Sequence, residues 1–143
     1  MDTARRLHLE ILDIAVSGPD DFDRFFAEAR RTGADAVFVH DVAWFHPYLP
    51  RLAELAAQSR LPAIGHNRLF VEAWGLLAYG RMGEYGPRLT ATYVDKLLQG
   101  AKPGDLPVDQ LMHFALVINL QTAKALGLTI PPMLLFQADE MIR

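Results

Sequence analysis

Short apolar runs alternate with segments of helical spacing along most of this chain. Three such runs, Ala36 to Val39, Leu61 to Ile64 and Gly75 to Tyr79, have the length and composition of interior strands. Helical spacing of apolar residues predicts helices over Asp20 to Thr32 and Tyr48 to Ser59. Strands that alternate with helices of about 10 to 15 residues indicate parallel βαβ units. The sequence therefore predicts an α/β fold, a three-layer αβα arrangement around a mainly parallel sheet.

The last third of the chain predicts how the sheet is completed. Leu116, Val117 and Ile118 form a continuous apolar run, as in a strand covered on both faces. Asn119 is placed to cap the helix that follows the strand, and Gly127 is placed to end that helix in a left-handed conformation. Pro131 and Pro132 prevent the helix from continuing.

Three further segments complete the predicted arrangement. Alternating apolar residues from Leu7 to Ala15 predict a first strand, and the stretch 65–74, GHNRLFVEAW, predicts a polar and aromatic loop. A helix is predicted over Arg88 to Gln99, closed by Gly100. Its apolar stripe consists of Leu89, Tyr93, Val94, Leu97 and Leu98.

Composition restricts the class of protein. A chain of 143 residues that is 51% hydrophobic is long enough for one domain with a buried core. Its net charge of -3 provides no positive field, so nucleic acid is not expected as a partner. No run approaches the roughly 18 to 20 apolar residues of a membrane span, so no membrane insertion is expected. The start of the chain lacks the apolar core of a signal peptide, which predicts a cytoplasmic location for the chain as written.

Two runs in the last third carry a resemblance to a known family. They are YVDKLLQGAKPGDLPVDQ at 93–110 and VINLQTAKALGLTIPPMLL at 117–135. Together they resemble the C-terminal signature of the substrate-binding proteins of ABC transporters, of the tryptophan/tyrosine-binding type with a type I periplasmic-binding fold. The resemblance implies a solute-binding component that delivers a small solute, such as an aromatic amino acid, to an ABC permease. Members of this family are periplasmic and have two lobes.

The resemblance covers the C-terminal half of such a protein and divides the chain into parts. It implies a second lobe over 1–85, a crossover helix over 86–100, a linker over 101–112, and a closing strand and helix over 113–143. The strand and helix that normally open the second lobe are missing or cut through, and Thr3 to Leu7 resemble the tail of that helix. The family usually has a small residue, commonly glycine, where Trp74 stands.

Candidate ligand-binding residues follow the predicted strands, because open parallel sheets bind ligands beyond the carboxyl ends of their strands. Arg68 is suited to a carboxylate and Asp41 to an ammonium group, while Trp44, Phe45 and Tyr79 can stack on an apolar body. The full set of ligand-binding candidates is His40, Asp41, Trp44, Phe45, His66, Arg68 and Tyr79.

Alternatives to solute binding fit the residues less well. His40, Asp41, His46 and His66 are of metal-ligand type, but their spacing matches no standard motif, so no metal is predicted. Ser17 and Ser59 lie at helix ends rather than at a nucleophile turn, so no catalytic residue is assigned. The run GRMGEYG lacks the lysine of a phosphate-binding loop, and no cofactor is predicted.

The apolar stripe of the predicted 86–100 helix is evidence about the oligomeric state of the chain. In the resembling proteins this helix belongs with the first lobe, so a chain without that lobe leaves five large side chains without a place to pack. The sequence therefore predicts a homodimer in which each copy covers the other's missing lobe. The alternatives are a remnant of a transport gene, and an oligomeric structural or regulatory domain that keeps the fold without binding a ligand.

Overall fold

The computed structural model describes residues 2–40, 42–81, 85–108 and 114–143. Five strands form one sheet in the order β1-β2-β3-β4-β5. The strands are β1 (Val37–Phe38), β2 (Ala63–Gly65), β3 (Leu77–Arg81), β4 (Phe114–Asn119) and β5 (Glu140–Ile142). The helices are α1 (Asp2–Arg6), α2 (Phe22–Arg31), α3 (Leu49–Gln58), α4 (Arg68–Glu72), α5 (Tyr85–Leu98), α6 (Leu120–Ala125) and α7 (Pro132–Gln137). Short 3-10 helices occupy Pro19–Asp21, Ala43–Tyr48 and Pro103–Asp105.

The sheet is mainly parallel, and the predicted fold class is confirmed. β1 pairs with β2, β2 with β3 and β4 with β5 in parallel, whereas β3 and β4 are antiparallel. The antiparallel step arises because α5 and the segment after it lead the chain back to the sheet from the end where β3 finishes. β4 therefore runs against β3 along its whole length, from Leu77 opposite Ile118 to Arg81 opposite Phe114.

The main core lies between α2, α3 and one face of the sheet. Phe22 and Phe26 of α2 and Leu52 of α3 are almost fully buried there, together with Val37 of β1 and Ala63 of β2. A smaller cluster joins α4 to β3 and β4 through Val71, Ala78 and Val117. Side chains alternate along a strand, so the residues between these buried positions point to the other face of the sheet.

The predicted ends of the β4–α6 unit are confirmed. The Asn119 side chain caps α6 by accepting a hydrogen bond of 2.9 Å from the Thr122 backbone N–H. Its amide also donates to the Val71 carbonyl oxygen at 3.0 Å, so one buried side chain joins α6 to α4. Gly127 has a φ of 71°, the left-handed conformation that a helix terminator needs. As predicted, α6 does not continue past Pro132. This residue instead begins α7.

Two predictions about local structure are wrong. The segment from Leu7 to Ala15 contains no strand, and its apolar residues Leu7, Leu9 and Ile11 are about 60% exposed. Alternation alone does not make a strand, because a strand needs a hydrogen-bonded partner, and the sheet begins at β1. The stretch 65–74 is not a loop, because α4 lies inside it, capped by the Asn67 side chain, which accepts from the Leu69 N–H at 2.9 Å.

The α5 helix forms as predicted, and its residues are only partly covered by the part of the chain that the structure describes. None of its residues from 87 to 98 is buried, although the helix repeats apolar side chains at helical spacing. Val94 is 49% exposed, Leu97 40% and Leu98 83%. Among the described residues, no helix is both long enough and apolar enough to cross a membrane.

Candidate functional site

Three rings meet beyond the carboxyl ends of β1 and β2. The centre of the Phe38 ring lies 4.9 Å from the His66 ring and 6.3 Å from the His40 ring, edge to face in both cases. The two imidazoles are 5.9 Å apart. Because β1 and β2 are parallel and end side by side, His40 and His66 leave the sheet at the same edge. The structure therefore brings together two predicted site residues and adds Phe38.

His66 is joined to Tyr79 through the backbone. Its Nδ1 lies 3.1 Å from the Tyr79 carbonyl oxygen. A carbonyl can only accept a hydrogen bond, so Nδ1 carries the proton in the neutral ring and Nε2 is the acceptor. The chain passes so close at this point that a side chain on Gly80 would collide with the His66 carbonyl oxygen. Gly80 thus allows the loop after β2 to lie against β3.

Tyr79 extends the aromatic surface onto the antiparallel part of the sheet. Its ring is stacked on Phe114 of β4, with centroids 5.7 Å apart and planes inclined by 23°. Both rings are half-exposed, as is Phe38. Solvent-facing aromatic rings of this size on a sheet are unusual and offer an apolar surface to a ligand. We call His40, His66, Phe38, Tyr79 and Phe114 the strand-end group.

Trp44 and Phe45 lie in a different aromatic cluster. Both belong to the 3-10 helix Ala43–Tyr48, which turns them back toward the core. The Trp44 ring is stacked on Phe22 at 6.1 Å, and Phe45 meets Phe22 edge to face at 5.9 Å. Trp44 keeps 40% of its surface exposed. Their proposed contact with a ligand stays a prediction, in competition with the contacts to Phe22.

Arg68 is held by two carboxylates. It donates to both oxygens of Glu140 in β5, at 2.9 Å from Nε and 2.7 Å from Nη2, and it also bonds Glu72 one turn along α4. Hydrogen bonding to Arg68 lowers the pKa of the Glu140 carboxyl, and the two carboxylates raise the pKa of Arg68. The three groups carry one positive and two negative charges, a net charge of -1. A ligand carboxylate that binds both Nε and Nη2 of this guanidinium would have to replace Glu140.

Asp41, the last of the predicted ligand-binding candidates, lies outside the described residues. In the described part of the chain, no three side chains of metal-ligand type come together. Phe38 and Phe114 were missed by sequence analysis, although both are large aromatic residues in or next to strands. Phe38 stands between Val37 and Val39, and its alternate position indicates that it points away from the core.

Solved structures with the same fold are longer than this chain. A conserved domain protein from Vibrio cholerae O1 biovar El Tor matches with a TM-score of 0.87 and 23% identity, covering 97% of this chain and 47% of that one. An ABC domain from Streptococcus pneumoniae in complex with L-Trp matches with a TM-score of 0.85 and 25% identity, covering 99% and 48%. The ligand-free, open form of a substrate-binding protein with adhesive properties from Clostridium difficile has a TM-score of 0.68 and 18% identity. The chain spans about half the length of these structures.

Sequence comparison gives the family. No curated protein matches the chain. A family model described as ABC transporter substrate binding protein matches residues 1–142, nearly the whole sequence. This is a family of binding proteins rather than of enzymes, and the resemblance carried by the last third of the sequence is confirmed. The chain belongs to the ABC transporter substrate-binding protein family.

Proposed function

We propose that the strand-end group binds a small solute with an aromatic ring and an amino group. The observation that carries the proposal is the meeting of Phe38, His40 and His66 at one sheet edge, next to the stacked rings of Tyr79 and Phe114. Half-exposed rings supply apolar surface for a planar body, and their faces attract a cation. The L-Trp in the pneumococcal structure is a ligand of this chemical class.

The polar groups at this edge favour the amino end of the solute. His66 Nε2 is an acceptor when Nδ1 donates to Tyr79, so it can receive a hydrogen bond from an ammonium group. A solute carboxylate would take the two-point contact with Nε and Nη2 of Arg68 only in exchange for Glu140. The ligand is held by contacts of this kind without any covalent step, so the proposed role is binding and not catalysis.

The proposed partner is an ABC permease, to which the family delivers its solutes. The solved structures that match are about twice as long as this chain, so the proposal concerns the half of the binding site that these residues form. The half-site alone leaves one side of the ligand open.

Isothermal titration calorimetry with L-Trp, L-Tyr and L-Phe tests the proposal, with L-Leu as the solute that lacks an aromatic ring. Saturable binding of the aromatic amino acids is expected, weakened about tenfold by Phe38→Ala because the substitution removes a ring contact. Phe136→Ala is the matched control, because Phe136 is 88% exposed in α7 and belongs to no ring contact of the strand-end group. Glu140→Gln should strengthen binding if the solute carboxylate reaches Arg68.

Two results would contradict the proposal. One is equal heat from L-Leu and the aromatic amino acids, which would show that the rings do not select the solute. The other is equal loss of affinity in Phe38→Ala and Phe136→Ala, which would place the binding surface elsewhere.

We further propose that a second copy of the chain covers α5 in solution. Val94, Leu97 and Leu98 expose an apolar stripe, and each large side chain of this kind is worth about 1.5 to 3 kcal/mol when it is fully buried. The outer edge of β1 is also without a strand in the described part of the sheet. A symmetric dimer covers the same surface on both copies.

Light scattering after size-exclusion chromatography measures the mass directly. The proposal expects twice the 16.0 kDa of the single chain, and a shift to the single-chain mass in Leu98→Glu. A folded single-chain species at every concentration would overturn it. A dimer that binds none of the aromatic amino acids would instead favour the alternative role, an oligomeric structural or regulatory domain that keeps the fold.

A further inference from the structure

A cavity lies away from the strand-end group, between α3 on one side and α4 and α6 on the other. Its volume is about 770 Å³. Small-molecule sites typically have volumes of about 300 to 1,000 Å³. None of the strand-end rings lines it. Alanines make up much of its lining, among them Ala56, Ala57, Ala73 and Ala125. Their short side chains leave a space between the helices, and we call this space the α3–α4 crevice.

Two residues with left-handed backbone conformation lie at the α3–α4 crevice. Arg60 has a φ of 53° and Trp74 a φ of 77°, and both residues line the crevice. In the described part of the chain, His8 is the one other non-glycine residue with positive φ. Each of the two residues follows the last turn of a helix, α3 for Arg60 and α4 for Trp74, where a left-handed residue commonly ends the helix. Two helix ends therefore meet at one cavity.

The conformation of Trp74 is fixed by its neighbours. The Trp74 carbonyl oxygen accepts a hydrogen bond of 3.2 Å from Oγ1 of Thr122, a buried residue at the start of α6. The indole itself is 56% exposed, although it lines the cavity. It therefore offers a flat aromatic surface at the opening of an apolar space.

Two of the charged side chains that line the crevice already have polar partners, and a third has no ion-pair partner among the described residues. Glu54 bonds Arg51 and Gln58, and Glu72 bonds Arg68. Arg60 makes no ion pair with any part of the chain that the structure describes. Of these lining groups, the Arg60 guanidinium is the one available to an anion. A planar guanidinium suits a carboxylate or sulfonate.

We propose that the α3–α4 crevice is a second binding site, for a flat aromatic molecule with one negative charge. The aromatic body would lie against the alanines and stack on the Trp74 indole, and the anionic group would bind Arg60. The site does not depend on the strand-end group, so either proposal can fail without the other.

Anilinonaphthalene sulfonate, an aromatic monoanion, is the test ligand, and the uncharged N-phenyl-naphthylamine is its matched analogue. The chain has two tryptophans, so a proton–nitrogen correlation spectrum shows two indole N–H signals, which Trp74→Phe assigns. We expect saturable binding of one sulfonate per chain that shifts the Trp74 signal. Ala57→Phe fills the crevice and should weaken binding about tenfold. Ala125→Phe repeats the test from α6 if the first variant does not fold.

Separate control variants test the role of the Arg60 charge and the location of the dye-binding site. Arg60→Gln should weaken the sulfonate about threefold or more and leave the uncharged analogue unchanged. Leu98→Ser changes the exposed stripe of α5, one of the apolar surfaces outside the crevice that could take up the dye, and should leave sulfonate affinity unchanged. Unsaturable binding, a shift of Trp44 alone, loss of binding in Leu98→Ser, or full affinity in both phenylalanine variants would each overturn the proposal.

Discussion

The α3 and α5 helices have similar amphipathic patterns and opposite surroundings. α3 buries Leu49, Leu52, Ala53, Leu55 and Ala56 against α2 and the sheet. α5 buries none of its residues from 87 to 98. Helical spacing of apolar residues thus indicates a face that must be covered, without identifying what covers it. For α3 the partner is in the same domain, and for α5 we propose a second copy.

Matched leucine truncations give the largest expected contrast. Leu52→Ala in α3 should lower the free energy of unfolding by about 2 to 5 kcal/mol, because it leaves a cavity in the core. Leu97→Ala in α5 should change it by less than about 0.5 kcal/mol in a dilute single-chain sample, because Leu97 is 40% exposed. Urea unfolding followed by circular dichroism measures both values.

Protein concentration sharpens this contrast. If a second copy covers α5, the cost of Leu97→Ala should grow as the concentration rises, while the cost of Leu52→Ala stays the same. Equal costs for the two variants at low concentration would mean that α5 is packed within a single chain, and the distinction between the helices would be lost.

A second contrast compares a tightly packed glycine with an open one. Gly80→Ala should destabilise the fold by about 1 to 3 kcal/mol, because the new methyl group meets the His66 carbonyl oxygen, a backbone atom that cannot move aside as a flexible side chain can. Gly104→Ala has open space around the new group and should be close to neutral. Thermal unfolding compares the two. The same small effect in both would show that the loop carrying His66 is free to move away from β3.

Local patterns predicted those parts of the fold that are decided by nearby residues. The bounds of α2 and α3, the Asn119 cap and the left-handed Gly127 all depend on a few neighbouring positions. Short elements were missed because α4 has five residues and β5 three, too few for a periodic pattern. The Asn67 cap was the available indication of α4. The wrong strand at Leu7 to Ala15 had the right pattern but no partner.

The positions of the candidate site residues were likewise predictable only where nearby sequence decides them. Parallel strands end at one edge, so His40 and His66 could be placed together from the sequence alone. Trp44 could not be placed, because a 3-10 turn directs its ring onto Phe22, and that turn follows from tertiary packing. The partner of Arg68 was equally hidden, because Glu140 lies 72 residues away in the sequence.

Trp74 gives a contrast within the turn that joins α4 to β3. Trp74→Gly and Trp74→Ala both remove the indole, but only alanine keeps the side-chain carbon that disfavours a φ of 77°. The glycine variant should therefore be more stable than the alanine variant by about 1 kcal/mol. Paired denaturation curves measure this difference. Equal stabilities would mean that the turn relaxes out of the left-handed conformation when the indole is absent.

The smallest expected effect concerns the pairing of α4 with β5 and depends on pH. Hydrogen bonding to Arg68 lowers the pKa of Glu140 below its ordinary value of 4.5. A carboxyl whose pKa is lower in the folded chain stabilises the fold fully above the unfolded pKa, and this contribution is lost as the pH falls through the folded pKa. Stability from this pair should thus be constant near neutral pH and decline below about pH 4.5.

Arg68→Gln should bring the pKa of Glu140 back toward 4.5 and make the acid decline in stability less steep, as measured by carbon-detected titration and by unfolding at each pH. Arg30→Gln removes the same charge from α2 and should leave the Glu140 titration unchanged. Because both side chains are more than 40% exposed, salt should weaken the effect in the parent chain. An unaltered Glu140 pKa in Arg68→Gln would show that the pair does not persist in solution, and would leave Arg68 open to a solute carboxylate.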